Sequence, residues 1–201
     1  MSRNERKYKK EEVITFRSTK ESFGALSNMA SGFSILVNDV IIPSSEALYQ
    51  ACRYPLFPAI QEEIINQNSP MTAKMISKKY YKYTRQDWEQ KKYDIMYWVL
   101  KIKLLHNYHR LSELLRKTEE KPIVELSNKD RDWGAKEENG FLVGKNALGR
   151  LLMQLRKEFI LEEQILDKVY PPKVSGFLLY NTEISIIYKT DLEMLFDIDL
   201  K

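Results

Sequence analysis

The sequence predicts a mainly α-helical fold carrying small β elements, and three observations lead there. Apolar residues recur at helical spacing over long stretches: Trp88, Ile95, Val99 and Ile102 step by seven, four and three and so line one helix face. Proline and N-cap residues punctuate those stretches where helices begin and end. The β signals are brief apolar runs beside turn residues.

In chain order, Val13 to Phe16 predicts a first strand. Ser34 to Val37 and Val40 to Ile42 flank Asn38-Asp39, residues that tolerate positive φ, which predicts a two-residue hairpin. Pro43 ends that hairpin, Ser44-Ser45 offers N-cap chemistry, and a short helix from about Glu46 is stopped by Pro55. A second helix follows Pro58 with Ile60, Ile64 and Ile65 inward, and Ser69-Pro70 opens a third. Thr84 with Asp87 three residues on resembles a capping box for the longest helix. Leu111, Leu114 and Leu115 continue helical, and Ile123 to Leu126 predicts a strand. Residues 127–146 read as one long loop with Gly134, Gly140 and Gly144. Asn146 is expected to cap a last helix whose inner face is Leu148, Leu151, Leu152, Leu155 and Phe159. Beyond Pro171-Pro172, the runs 177–180 and 184–188 look like a terminal hairpin.

The expected organisation is a basic flexible tail over 1–12, one main domain over 13–163 and a C-terminal extension over 164–201. With 201 residues, 43% hydrophobic and 30% charged, the chain reads as a globular domain able to bury a core. No run approaches the ~18 apolar residues of a membrane span, and no apolar signal region follows the basic start. No membrane partner and a cytoplasmic location are expected. A net charge of +4 tolerates a polyanionic partner without demanding one. The one dense basic cluster, Arg3, Arg6, Lys7, Lys9 and Lys10, reads as a solvated tail. Cys52 is the single cysteine, and His106 and His109 stand three apart with no third ligand in pattern. Neither a metal nor a cofactor is expected.

Three features carry chemistry. Glu46, Gln50 and Arg53 fall at i, i+4 and i+7, so one helix stripe presents an acid, an amide and a guanidinium. The ordinary alternative is a solvated face whose acid suits the helix start. Asp130-Arg131-Asp132-Trp133-Gly134 sets a tryptophan in a polar loop, where it either stacks on a ligand ring or pins the loop to the core. Lys103 lies near the apolar face of the long helix and Lys74 sits between Met71 and Met75. A desolvated lysine suits a nucleophilic amine; a snorkelling one is the commoner case.

Read together, four blocks resemble the NADAR (NAD- and ADP-ribose-associated) family and its single-domain YbiA-like fold. They are Ser27-Asn28 after Phe23; Ser44 through Ala51 (SSEALYQA); Ser69-Pro70-Met71 with Ala73-Lys74; and Asp130 through Gly134, followed by Gly144 through Met153 (GKNALGRLLM). They span about residues 14 to 160. The resemblance implies hydrolysis of N-glycosidic bonds with no cofactor. One branch acts on phosphoribosylamino-pyrimidine intermediates of riboflavin biosynthesis. The other removes ADP-ribose from guanine, in DNA or a nucleotide, often as antitoxin to a cognate ADP-ribosyltransferase toxin. Ala47 and Arg53 stand where the first branch usually has histidine and lysine, so the wording is closer to the second. The resemblance makes Glu46 and Asp130 catalytic candidates, with Lys74 and then Lys103 as candidate amines, since arginine at 53 cannot be one. Asn28, Gln50, Arg53, Trp133, Gly134 and Asn146 become substrate-binding candidates. That reading requires Glu46 and Trp133 to line a common cavity. A non-catalytic ADP-ribose or nucleotide reader is the alternative of another class.

Overall fold

The computed structural model describes residues 5–191; Arg3 of the basic cluster and residues 192–201 of the expected extension lie outside them. In chain order the elements are β1 (Arg6–Lys9), β2 (Ile14–Phe16), β3 (Ile35–Val37), β4 (Val40–Ile42), α1 (Ser45–Ala51), α2 (Pro58–Ile65), α3 (Pro70–Lys79) and α4 (Trp88–His106). Then follow α5 (Tyr108–Arg116), β5 (Ile123–Glu125), β6 (Lys136–Glu138), β7 (Phe141–Gly144), α6 (Ala147–Arg156), β8 (Lys168–Val169), β9 (Leu178–Leu179), β10 (Thr182–Glu183) and β11 (Ile187–Tyr188). The fold is mainly α with small β elements. Among the described residues no helix is long and apolar enough to cross a membrane. The chain forms two compact units, one of residues up to Ser27 with His109–Ile165, the other of Asn28–Tyr108 with the residues from Leu166.

In the first unit, β1 pairs antiparallel with β7, which also pairs with β6, while β2 lies parallel to β5. The basic stretch expected as a flexible tail is therefore structured from Arg6, because the β7 edge supplies partners for its backbone. The long loop expected over 127–146 contains the β6–β7 hairpin, turned by Asn139-Gly140 at φ of 50° and 77°. Both central residues at positive φ make the twist-matched turn that Asn-Gly favours. Val124, Ala135 and Leu142 form a buried cluster under Tyr8, Val13 and Leu126.

In the second unit, β3 and β4 form the expected hairpin, with Asn38 and Asp39 at φ of 48° and 61°. Helices α1, α2 and α3 pack on one another, and α1 also packs on α4. The periodic stripe of α4 is buried as its spacing requires. Its start differs from expectation. Asp87 holds the N-cap position without a side-chain cap bond, since its carboxylate is taken by Arg85 at 2.5 and 3.1 Å. The C-terminal segment belongs to this unit rather than forming one hairpin: β9 pairs with β10, and β11 pairs with β8. Buried Gln61 ties it to α2, donating to the Leu178 carbonyl (2.9 Å) and accepting from the Tyr180 amide (2.8 Å). Phe177 meets the buried Trp98 ring edge-on at 4.9 Å.

Candidate active site

Helix α1 sets the first constellation. Ser44 caps it, its hydroxyl accepting from the Ala47 amide at 3.2 Å. Ala47, Leu48 and Ala51 are fully buried and turn the remaining stripe, Glu46 and Gln50, into a polar interior. Glu46 is only 4% exposed. Its Oε1 accepts from Gln50 Nε2 at 2.8 Å and its Oε2 from Asn28 Nδ2 at 2.7 Å. The Ser45 hydroxyl donates to the Asn28 carbonyl at 3.2 Å and holds that residue against the helix. Asn28 Oδ1 is buried and has no hydrogen-bond partner. A buried acceptor beside a buried carboxylate is costly unless something donates to it.

The chain of bonds runs further than expected. Ser77 of α3 donates to Gln50 Oε1 at 2.7 Å, and the Tyr54 hydroxyl donates to the Ser77 carbonyl at 2.6 Å. Burial pushes the Tyr54 phenol up from its ordinary range, so it stays a neutral donor. Ser77 and Tyr54 went unread in the sequence. The signal was a serine on the same buried stripe of α3 as Pro70, Ala73 and Ile76.

Arg53 departs from the predicted stripe because α1 ends at Ala51, with Cys52 as its C-cap. Its guanidinium is instead held by aromatic faces, 4.3 Å from the Trp88 ring and 4.6 Å from the Tyr81 ring. Tyr49 braces Trp88 at 5.0 Å. Arg53 Nε is buried with no hydrogen-bond partner. A guanidinium stacked in this way keeps its donor fork available to an anion.

The two lysines differ. Lys74 is half-buried, but Met71 and Met75 are 58% and 60% exposed. They therefore make no apolar pocket around it, and its partial exposure matches the commoner, snorkelling arrangement. Lys103 is fully buried, with Nζ 4.5 Å above the Phe33 ring. Of the two candidates only Lys103 is buried. His106 is occupied by backbone: Nδ1 accepts from Leu36 N–H at 3.3 Å and Nε2 lies 3.2 Å from the Tyr188 carbonyl. Asn107 separates α4 from α5, so His106 and His109 do not share one helix. Among the described residues, no group of three or more histidine, cysteine or acidic side chains can hold a metal ion.

In the first unit, Asp130 Oδ1 accepts from the Asp132 and Trp133 amides at 2.9 and 3.0 Å, and Ser127 Oγ accepts from Asp130 N–H at 2.9 Å. Asp130 therefore shapes the turn that presents the half-buried Trp133. The carbonyls of residues 131–134 accept in turn from the amides of Lys145, Asn146, Ala147 and Leu148. This satisfies the Asn146, Ala147 and Leu148 amides at the α6 N-terminus without a side-chain cap. Gly134 is required by closeness: a Cβ there would lie 2.6 Å from the Glu125 carbonyl. Asn146 corrects its expectation twice. It sits in the left-handed region at φ 50° and caps nothing with its side chain. It is also fully buried, its Oδ1 accepting from Glu125 N–H (3.2 Å) and its Nδ2 donating to the Ile123 carbonyl (2.8 Å). Both ends of its amide are engaged by the fold, which leaves none for a ligand edge. Gly134 likewise serves backbone approach.

With these features in place, comparison with known proteins is informative. The chain belongs to the NADAR domain family, whose model matches residues 15–160. It is 34% identical over 151 residues to N-glycosidase YbiA of Escherichia coli (strain K12), covering 75% of this chain and 91% of that protein. The NMR structure of the E. coli protein YbiA superposes with a TM-score of 0.65, covering 75% of this chain and 86% of that one, so the fold is YbiA-like. Riboflavin biosynthesis protein VVA0006 of Vibrio vulnificus (strain YJ016) is 32% identical over 148 residues, 74% of this chain but 39% of that protein.

Proposed function

We propose that this protein is an N-glycosidase that hydrolyses the bond between a ribose-type sugar and a nitrogen base, with ADP-ribosylated guanine as its substrate. The observation that carries the reading is Glu46, a buried carboxylate each of whose oxygens accepts one N–H, in a chain resembling an enzyme named N-glycosidase. Breaking the C–N bond builds positive charge on the anomeric carbon and negative charge on the departing base. Glu46 acts at the sugar, stabilising that cation and taking a proton from the attacking water as the water oxygen bonds the anomeric carbon and the C–N bond breaks; the departing base takes up one proton from solvent, and Glu46 returns the water's proton to solvent. Gln50 and Asn28 hold the carboxylate in place. The unpartnered Asn28 Oδ1 accepts from a sugar hydroxyl, and Arg53 takes a phosphate oxygen. Within the other unit, Asp130 fixes the turn that presents the half-buried Trp133.

Turnover is tested with an ADP-ribosylated guanine oligonucleotide, the corresponding modified nucleotide and a phosphoribosylamino-pyrimidine. Base release from the first two, lost in Glu46→Gln, is expected; equal rates for wild type and Glu46→Gln would remove the carboxylate from catalysis. Preference for the pyrimidine would favour the second reading, which the riboflavin names of several relatives support. Borohydride trapping distinguishes direct hydrolysis from attack by the buried Lys103 amine: a covalent adduct lost in Lys103→Met assigns the attack to lysine. The proposed partner is an ADP-ribosyltransferase toxin. Its co-expression with this chain should restore growth, and with Glu46→Gln should not.

A further inference from the structure

A second concave feature lies away from the polar chain around Glu46. An open cleft of about 670 Å³ is walled by residues 55–57, 82–87 and 175–176; Asn28, Glu46, Gln50 and Arg53 take no part in its lining. The volume suits a ligand the size of a nucleotide. Its walls combine rings with a cation. The Phe57 and Tyr83 rings meet at 4.9 Å, tilted by 48°. Leu56 beside them is 72% exposed. Lys82 Nζ lies 4.7 Å over the Tyr83 ring, and among the described residues no carboxylate pairs with it.

Arg85 has a different task in the same wall. Its Nε and Nη2 bind Asp87, and Nη2 also donates to the Ser175 carbonyl at 2.7 Å. Its side chain is 7% exposed. The guanidinium neutralises Asp87 and ties one wall to the other, so the cleft is preformed and Lys82 is left as its unbalanced charge. The cleft also adjoins the proposed anion site: the Arg85 amide donates to the Arg53 carbonyl at 2.9 Å, and Tyr81 lies against the Arg53 guanidinium.

We propose that this cleft seats single-stranded DNA flanking the modified base, one unpaired base stacking on the Phe57–Tyr83 pair and Lys82 meeting the backbone phosphate. Aromatic faces with an adjacent free cation, open along one side, form the platform that unpaired strands use. The continuity with Arg53 directs the strand toward the reacting sugar. The inference rests on the reading of the substrate as a base in DNA, and it names the surface that separates a strand from a free nucleotide.

The test is fluorescence anisotropy with a labelled, unmodified thymidine oligonucleotide of about twelve nucleotides. Tyr83→Ala should weaken binding by about tenfold. Lys82→Gln, which removes no packing, should weaken it and reduce the salt slope by about 0.7. On the modified oligonucleotide both variants should raise KM with kcat unchanged, and on the modified nucleotide they should match wild type. Wild-type affinity and salt slope in Lys82→Gln would overturn the proposal, as would tighter binding of duplex than of single strand. Binding to unmodified DNA is read without turnover. A wild type that binds the strand but releases no base would sink the glycosidase reading and leave the cleft assigned.

Discussion

Replacing Glu46 by glutamine and Gln50 by leucine should move stability and turnover in opposite order. In Glu46→Gln, one of the two N–H donors keeps an oxygen and the other meets an NH₂ group. Asn28 can relieve that clash by turning its amide, because its Oδ1 has no partner at present and would accept from the new NH₂. The number of bonds is conserved; each falls from charge-assisted to neutral strength, offset by the removal of a buried charge. The net change should stay within about 1 kcal/mol, or about 2–4 °C in Tm for a domain of this size. Gln50→Leu has no such escape. The Glu46 carboxylate, 4% exposed, loses its 2.8 Å donor, whereas the Ser77 hydroxyl still has Tyr54 at 2.9 Å. That loss should cost about 2–3 kcal/mol and roughly 4–12 °C. Turnover should show the reverse order: Glu46→Gln falls by about 10²–10⁴, while Gln50→Leu retains its carboxylate and falls far less. Urea denaturation of both variants, with base release measured on the same preparations, checks the pair. A Glu46→Gln protein less stable than Gln50→Leu, or turning over faster, would refute the argument.

Gly149→Ala should destabilise by about 2–3 kcal/mol in urea, since its Cβ would be driven into the Ile123 carbonyl and the Asn146 side chain that join α6 to β5. Burial pushes the Cys52 thiol well above its ordinary range. Iodoacetamide should therefore leave it unmodified at neutral pH and alkylate it only on unfolding, as mass spectrometry would show. The hydrogen bond from Arg85 holds the Asp87 carboxyl below the usual carboxylate range. A depressed folded value means that the pair stabilises above the unfolded pKa of about 3.9 and loses this as pH falls through the folded value. Asp87→Asn should be less stable than wild type at neutral pH, the gap closing on the acid side in denaturation midpoints measured against pH.

Much of the architecture was legible because its causes are local. Proline at a first helical turn, a serine cap and apolar residues three and four apart act within a few residues. They set the starts of α1, α2 and α3 and the buried stripe of α4. The β6–β7 hairpin was missed: Asn139-Gly140 is a strong turn signal, yet the surrounding glycines made the segment read as loop. Thr84 with Asp87 had the spacing of a capping box, and a closer arginine took the carboxylate.

The sequence by itself determined the helical class, the family and the candidacy of Glu46 and Gln50, whose four-residue spacing obliges them to share a helix face. Only the tertiary structure decided what completes that face. Asn28 reaches Glu46 across 18 residues and Ser77 reaches Gln50 across 27. It also moved Arg53 off the helix onto two aromatic rings, engaged Asn146 with the backbone of β5, and distinguished a buried Lys103 from a half-buried Lys74. The reason is physical. Periodicity states which way a side chain faces along its own element, while desolvation and hydrogen-bond partners depend on what packs against it from elsewhere in the chain.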